Sequence, residues 1–276
     1  MWNVNEKLAL IREEQYAFTP SEDTTHIILP NTKCKIAFTL AEVLITLGII
    51  GVVAAMTMPV LVTNFQKKRT VTQLKETYSI LAQAFEHAKA DYGDMEYWGL
   101  DSIRGQTSGA QEIIKNVVEM YYLPYIKPVK NYGITNLKNI GYDRTYNLDK
   151  SEAGSNTLGG SRYIITLPNG TITAFSLDGH CDEPGTDTNG NWVCNSQWYY
   201  TTVYIIVDIN GIQRPNTYGK DIFVMQLDNN KFKFYSYSSS ENNRNRLLQY
   251  CSKGSSENRM CGRLIQLDGW EIKYDW

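Results

Sequence analysis

The chain has 276 residues, with 27 Lys and Arg against 29 Asp and Glu, a formal net charge of −2, and 42% hydrophobic residues. That length and apolar fraction allow one large core or two small ones. The near-neutral balance, without a long run of one sign, gives no charge-based case for a nucleic-acid partner or an acidic substrate.

The N-terminal part is dominated by an uncharged run of 20 residues, Val43 to Val62. As a helix rising about 1.5 Å per residue it spans about 30 Å, one hydrocarbon core, and reads as a single transmembrane helix. A secretory signal peptide would have a shorter apolar core, about 7–15 residues, close to the N-terminus and followed by a small-residue cleavage site. Lys33 and Lys35 precede the run and Lys67, Lys68 and Arg69 follow it, so the flanking charge alone slightly favours a cytoplasmic C-terminal side.

At the start of this run stand basic Lys35, Ile36, small Ala37, then Phe38-Thr39-Leu40-Ala41-Glu42, with Pro59 farther along. In this order of residues, over roughly 33–92, the chain resembles the type IV pilin and type II secretion pseudopilin family. The resemblance implies that a prepilin peptidase cuts between Ala37 and Phe38 on the cytoplasmic side, and that the new terminus at Phe38 is methylated. Ala37 stands where the family usually has Gly. Glu42 matches the family's acidic residue, and Pro59 a position where its helix often bends or melts. The implied organisation is a leader over 1–37, a transmembrane and assembly helix over 38–62, and an extracytoplasmic head over 63–276.

Glu42 also raises a physical question on its own. An acidic residue at the centre of a membrane helix costs about 2.5–3.5 kcal/mol, so such residues are rare and usually face a partner. A carboxylate in the first helical turn is instead favoured by the helix dipole, by about 0.3–1 kcal/mol. Cleavage would add a positive amine at Phe38, one turn away and within reach of the Glu42 of a neighbouring subunit.

Beyond the run, Val71, Leu74, Tyr78, Leu81, Phe85, Ala88 and Tyr92 recur at spacings of three and four, predicting a continuing helix with one buried face. Gly93 stops it. Residues 95–110 read as a polar, Gly-bearing connection. Ile113, Ile114, Val117, Val118 and Tyr121 outline a second helix ending before Pro124. The segment from there to Ser161 carries no clear periodicity. Arg162 to Leu167 and Thr171 to Leu177 flank Pro168-Asn169-Gly170 as a hairpin. Tyr199 to Ile209 is a third strand, and Asp221 to Leu227 with Lys231 to Tyr237 form a second hairpin. A short last strand is expected over Trp270 to Tyr274. One long helix against an antiparallel sheet is an α+β layout, and a pilin-like one on the resemblance.

Of five cysteines, Cys34 lies in the leader, leaving Cys181, Cys194, Cys251 and Cys261. Four cysteines allow three connectivities. Each adjacent pair closes a polar segment with little apolar area of its own, which favours Cys181 with Cys194 and Cys251 with Cys261, each contributing about 2–3 kcal/mol in the chain-entropy model. The spacings lack the C-x-x-C step of zinc sites. Disulfides need an oxidising compartment, which puts the head outside the cytoplasm against the charge count.

Asp208, Asn210 and Asp221 gather oxygen atoms near one turn and are the weak candidates for calcium; the same residue types also simply end strands and form turns. No histidine sits in a recognisable nucleophile motif, so an enzyme is not expected. The expected function is a structural subunit of a type IV pilus or secretion pseudopilus, first held in the inner membrane, with the peptidase, other subunits and the membrane as partners. The alternative is a minor or tip subunit whose aromatic head binds a surface, a ligand or DNA, and a membrane-anchored enzyme ranks below both.

Overall fold

The computed structural model describes residues 39–100, 110–154, 160–181, 184–189, 192–194, 198–228 and 230–276. The chain divides into two compact units, Met1–Val53 and Ala54–Trp276. In the first, the described residues form the opening turns of helix α1, Leu40–Tyr92. Its apolar side chains there are bare: Leu40, Leu44, Ile45, Leu47, Ile49 and Ile50 are each at least 60% exposed. The helix is long and apolar enough to cross a membrane, and none of its most apolar 18-residue window is buried by the rest of the protein.

In the second unit α1 changes character. Met56, Met58, Val60, Leu61 and Phe65 remain exposed, whereas Thr70, Leu74, Thr77, Leu81, Ala84, Phe85 and Ala88 are buried. Spacings of three and four place these on one face, as the apolar stripe predicts. Tyr92 departs from that prediction. It is 45% exposed at the end of the helix, where its ring makes an edge contact with Tyr121 at 5.2 Å. Gly93, at φ +80°, terminates α1 in a conformation that glycine adopts without a Cβ penalty.

The sheet holds six strands in the order β1-β2-β3-β6-β7-β8, every pairing antiparallel. They are β1 Lys130–Thr135, β2 Arg162–Thr166, β3 Ile172–Cys181, β6 Trp198–Asp208, β7 Ile222–Asp228 and β8 Lys231–Phe234. Between β3 and β6 the chain makes a separate two-stranded ladder, β4 Pro184–Thr186 with β5 Trp192–Cys194. Alternation along the strands divides the two faces. Tyr163, Ile165, Phe175, Val203, Ile205, Val207, Phe223 and Met225 join the main core with α1 and with α2, Ala110–Tyr121. Ile164, Ile172 and Ala174 form a small second core under the 3-10 turn Leu137–Ile140. Buried threonines tie α1 to the first hairpin: Thr77 and Thr171 share a hydroxyl hydrogen bond of 2.9 Å, and Asn169 donates to Thr77 at 3.0 Å.

Two expectations need correction, and the segment without periodicity resolves into a strand. The supposedly polar connection after Gly93 folds as a 3-10 turn, Met95–Trp98, that buries Met95, Trp98 and Leu100. Trp98 stacks on Tyr121 at 4.2 Å, and its indole N–H donates to the Gly93 carbonyl; one large ring brings enough apolar area to override a polar neighbourhood. The segment without periodicity supplies edge strand β1, whose register shifts between Asn131 and Gly133. The strand expected over Trp270 to Tyr274 is absent. Gly269 and Trp270 have φ +75° and +65°, which breaks extended pairing, and Trp270 donates its backbone N–H to Ile265 instead. Two short helices lie before it, α3 Arg244–Tyr250 and α4 Cys261–Leu267.

The α+β class therefore holds, with a long N-terminal apolar helix and an antiparallel six-stranded sheet.

Candidate assembly segment and aspartate turn

Ala37 and Phe38, the expected cleavage and methylation positions, lie outside the described residues. Thr39 and Glu42 are within them and form a reciprocal cap on α1. The Thr39 backbone N–H and hydroxyl both donate to Glu42 Oε2 at 2.8 Å, and the Glu42 N–H donates back to Thr39 Oγ1 at 3.2 Å. This is a capping box, with Thr at the N-cap and Glu three residues on; each side chain satisfies a backbone donor that the helix start leaves open. The sequence Thr-x-x-Glu carries this signal, which the dipole argument for Glu42 does not include. Glu42 is exposed, so the same carboxylate can be shared with a neighbouring chain. Pro59 lies inside α1, and the Thr63 hydroxyl donates to its carbonyl at 2.9 Å.

The four cysteines of the head divide. Cys251 and Cys261 form a disulfide with Cα atoms 5.4 Å apart, joining the end of α3 to the start of α4. Asn258, fully buried, secures the loop between them: its amide donates to the Tyr250 and Ser252 carbonyls at 2.9 and 3.1 Å and accepts from the Leu148 N–H at 2.7 Å. The side chains of Cys181 and Cys194 lie outside the described residues.

Asp208, Asn210 and Asp221 do come together, in the connection between β6 and β7. Asp208 accepts from the Tyr142 hydroxyl at 2.8 Å and from the Asn210 N–H at 3.3 Å. Asp221 accepts from the backbone N–H groups of Asn216, at 3.0 Å, and Thr217, and from the Asn210 side-chain amide at 3.1 Å. Both carboxylates are at least 96% buried, being 3% and 4% exposed. Burial, reinforced by the charge of Asp221, pushes the Asp208 carboxyl well above the usual carboxylate range. Burial raises Asp221 as well, against the pull of its donors from Thr217, Asn216 and Asn210. Burial and the neighbouring Asp208 push the Tyr142 hydroxyl up in turn.

This donor set fits a proton better than calcium. The carboxylate oxygens already face N–H and O–H donors, which oppose a cation, and among the described residues no group of three or more His, Cys, Asp or Glu could hold a metal. The amide oxygens of Asn210 and Asn216 are buried without a partner, but two neutral oxygens do not replace the charge that calcium draws from carboxylates.

A pH dependence follows. Asp208 is raised in the folded state, so the folded chain holds a proton that the unfolded chain releases near pH 4. Its contribution is full below that pH and is lost as pH rises toward the folded value, by up to about 1.4 kcal/mol per pH unit. Asp208→Asn keeps the neutral form and accepts the same bond from Asn210. The variant is expected to gain stability over the wild type as pH rises from 4 to 8 in thermal melts. The wild-type Tm is expected to be the same in EDTA and in calcium.

Residues 60–276 match the profile of a family described as a family of unknown function, DUF6613. No curated protein and no solved structure matches the chain.

Proposed function

The chain belongs to the DUF6613 family of unknown function, and within it we propose that this protein is a pilin-like structural subunit, cut before Phe38 and assembled through α1 into a type IV pilus or secretion pseudopilus. The observation that carries this reading is the division of labour along one helix. Residues 40–62 expose their apolar side chains, while between residues 70 and 88 one face of the helix, Thr70, Leu74, Thr77, Leu81, Ala84, Phe85 and Ala88, is buried in the head. Exposed apolar area of this extent needs an apolar partner, either lipid or the helices of other subunits.

On this reading the membrane holds the subunit until cleavage. The amine released on Phe38 then lies one turn from Glu42, and the carboxylate, which the single chain satisfies through Thr39, is shared with the amine of a neighbour in the filament core. The head stands outside the cytoplasm, where the Cys251–Cys261 disulfide persists. Prepilin peptidase and further pilin-like subunits are the partners.

Shearing cells that express the protein and imaging the released material tests the proposal. The expected result is the processed chain in extracellular or surface filaments; a chain confined to membranes in cells that carry the assembly machinery argues against it.

A further inference from the structure

Within the second unit a cavity of 290 Å³ opens beside α1, lined among others by Gln66, Arg69, Arg214, Lys220, Asp221 and Trp276. Its charge is lopsided. Arg69, Arg214 and Lys220 face it, whereas the one acidic side chain in its lining, Asp221, is occupied by three donors of its own turn. Arg214 also bridges outward to Asp143 at 3.0 Å, both side chains being largely exposed. The Trp276 ring takes two cation–π contacts, with Lys220 Nζ 5.2 Å and Lys67 Nζ 6.0 Å from its centroid. Lys67 is held there by donating to the Tyr274 carbonyl at 3.0 Å. Burial lowers the pKa of Lys220, a cost that an anion in the cavity would offset.

Depth along α1 says what anion this is. The apolar run ends at Val62, and Gln66 and Arg69 follow at about 6 and 10 Å along the helix axis. A headgroup layer is about 5–8 Å thick on each side of the hydrocarbon core. The near rim of the cavity, at Gln66, therefore lies within the headgroup layer; the Arg69 side chain, about one turn farther out, leans back toward it because helical side chains tilt toward the helix N-terminus, and a tryptophan, an interfacial residue, stands at the cavity wall. Guanidinium groups bind phosphate through paired N–H donors, and basic residues beside a membrane helix attract anionic lipid.

We propose that this cavity binds the phosphate of an anionic phospholipid in the leaflet beside the head, setting the depth at which α1 leaves the membrane. The inference rests on reading Val43 to Val62 as a membrane span. It names a lipid partner for the stored subunit that the filament reading does not require.

The test uses the full chain in nanodiscs of phosphatidylcholine doped with phosphatidylglycerol, followed by native mass spectrometry of the released protein with its retained lipids. Phosphatidylglycerol is expected to be retained in preference to phosphatidylcholine. Arg69→Gln with Arg214→Gln should cut that retention about 25-fold, or about fivefold per charge, while Arg69→Lys with Arg214→Lys keeps most of it. Both arginines are exposed, so the variants should melt like the wild type. Equal retention of the two lipids, or retention unchanged in the glutamine variant, overturns this inference and leaves the membrane reading standing. A chain that does not enter the discs overturns both. Displacement of the lipid by millimolar inorganic phosphate with no loss of lipid preference supports the site, whereas phosphate binding without lipid preference reassigns it to the free ion.

Discussion

Glu42→Val is expected to leave membrane insertion intact or improved and to abolish filament assembly. Removing a carboxylate from a membrane helix recovers part of an insertion cost of about 2.5–3.5 kcal/mol, the full figure applying at the helix centre and less near its end. The loss of the capping box works the other way, by about 0.3–1 kcal/mol at the first turn. Neither effect should stop the monomer from folding, since the head is stabilised by its own core. What valine removes entirely is the charge that would meet the amine of a neighbouring Phe38. Glu42→Gln separates the two roles. Glutamine can accept from the Thr39 N–H and hydroxyl as glutamate does, so a subunit that needs only the helix cap should assemble as glutamine. If charge pairing holds the filament, the glutamine variant should fail like the valine one. Counting filaments per cell by electron microscopy, with the membrane-bound pool measured by immunoblot, reads both outcomes.

Phe85→Ala is expected to cause the largest loss of stability in the head. Phe85 is fully buried on α1, edge-on to Trp98 at 5.6 Å and tilted against Phe232 at 6.4 Å. It therefore joins three parts of the second unit: the helix, the turn after Gly93, and strand β8. Truncating a buried phenylalanine costs about 3–5 kcal/mol through lost transfer and the cavity left behind. In a unit of this size that corresponds to a drop in Tm of roughly 6–20 °C. Trp98 loses one wall of its slot, so its fluorescence should shift to the red in the folded variant. A fall of less than about 1 kcal/mol in a denaturant titration would show that α1 contributes little to holding the head together.

The parts of the fold that were legible in the sequence are those written in one continuous stretch. The apolar run, the stripe from Val71 to Ala88, the Pro168-Asn169-Gly170 hairpin and the β-rich runs of β6 and β7 are each long enough to recognise. The pairing of Cys251 with Cys261 was also legible, because a short polar loop needs a staple. Helices α3 and α4 escaped because each has only seven residues, two turns, fewer than a periodicity argument needs. Trp98 escaped because its partners, Phe85 and Tyr121, lie on two other helices.

The aspartate turn shows the same limit at a candidate site. The sequence groups Asp208, Asn210 and Asp221 near one turn, but nothing local indicates that Tyr142 would reach Asp208 from 66 residues away, or that the donors of Asn216 and Thr217 would turn inward onto Asp221. Those donors change the chemistry from a set of cation ligands to a pair of buried carboxylates held by O–H and N–H donors. At the N-terminal segment the position is reversed. Thr39 and Glu42 spell a capping box within four consecutive residues, although Glu42 by itself reads only as a charge, and what lies beyond a single chain is the neighbour that the exposed carboxylate would meet.

Mass spectrometry of the mature N-terminus tests the central claim most directly. The account predicts a chain that starts at Phe38 and carries one added methyl group on its α-amine. A mature protein that still begins at Met1, or that is cut anywhere after Glu42, would contradict it.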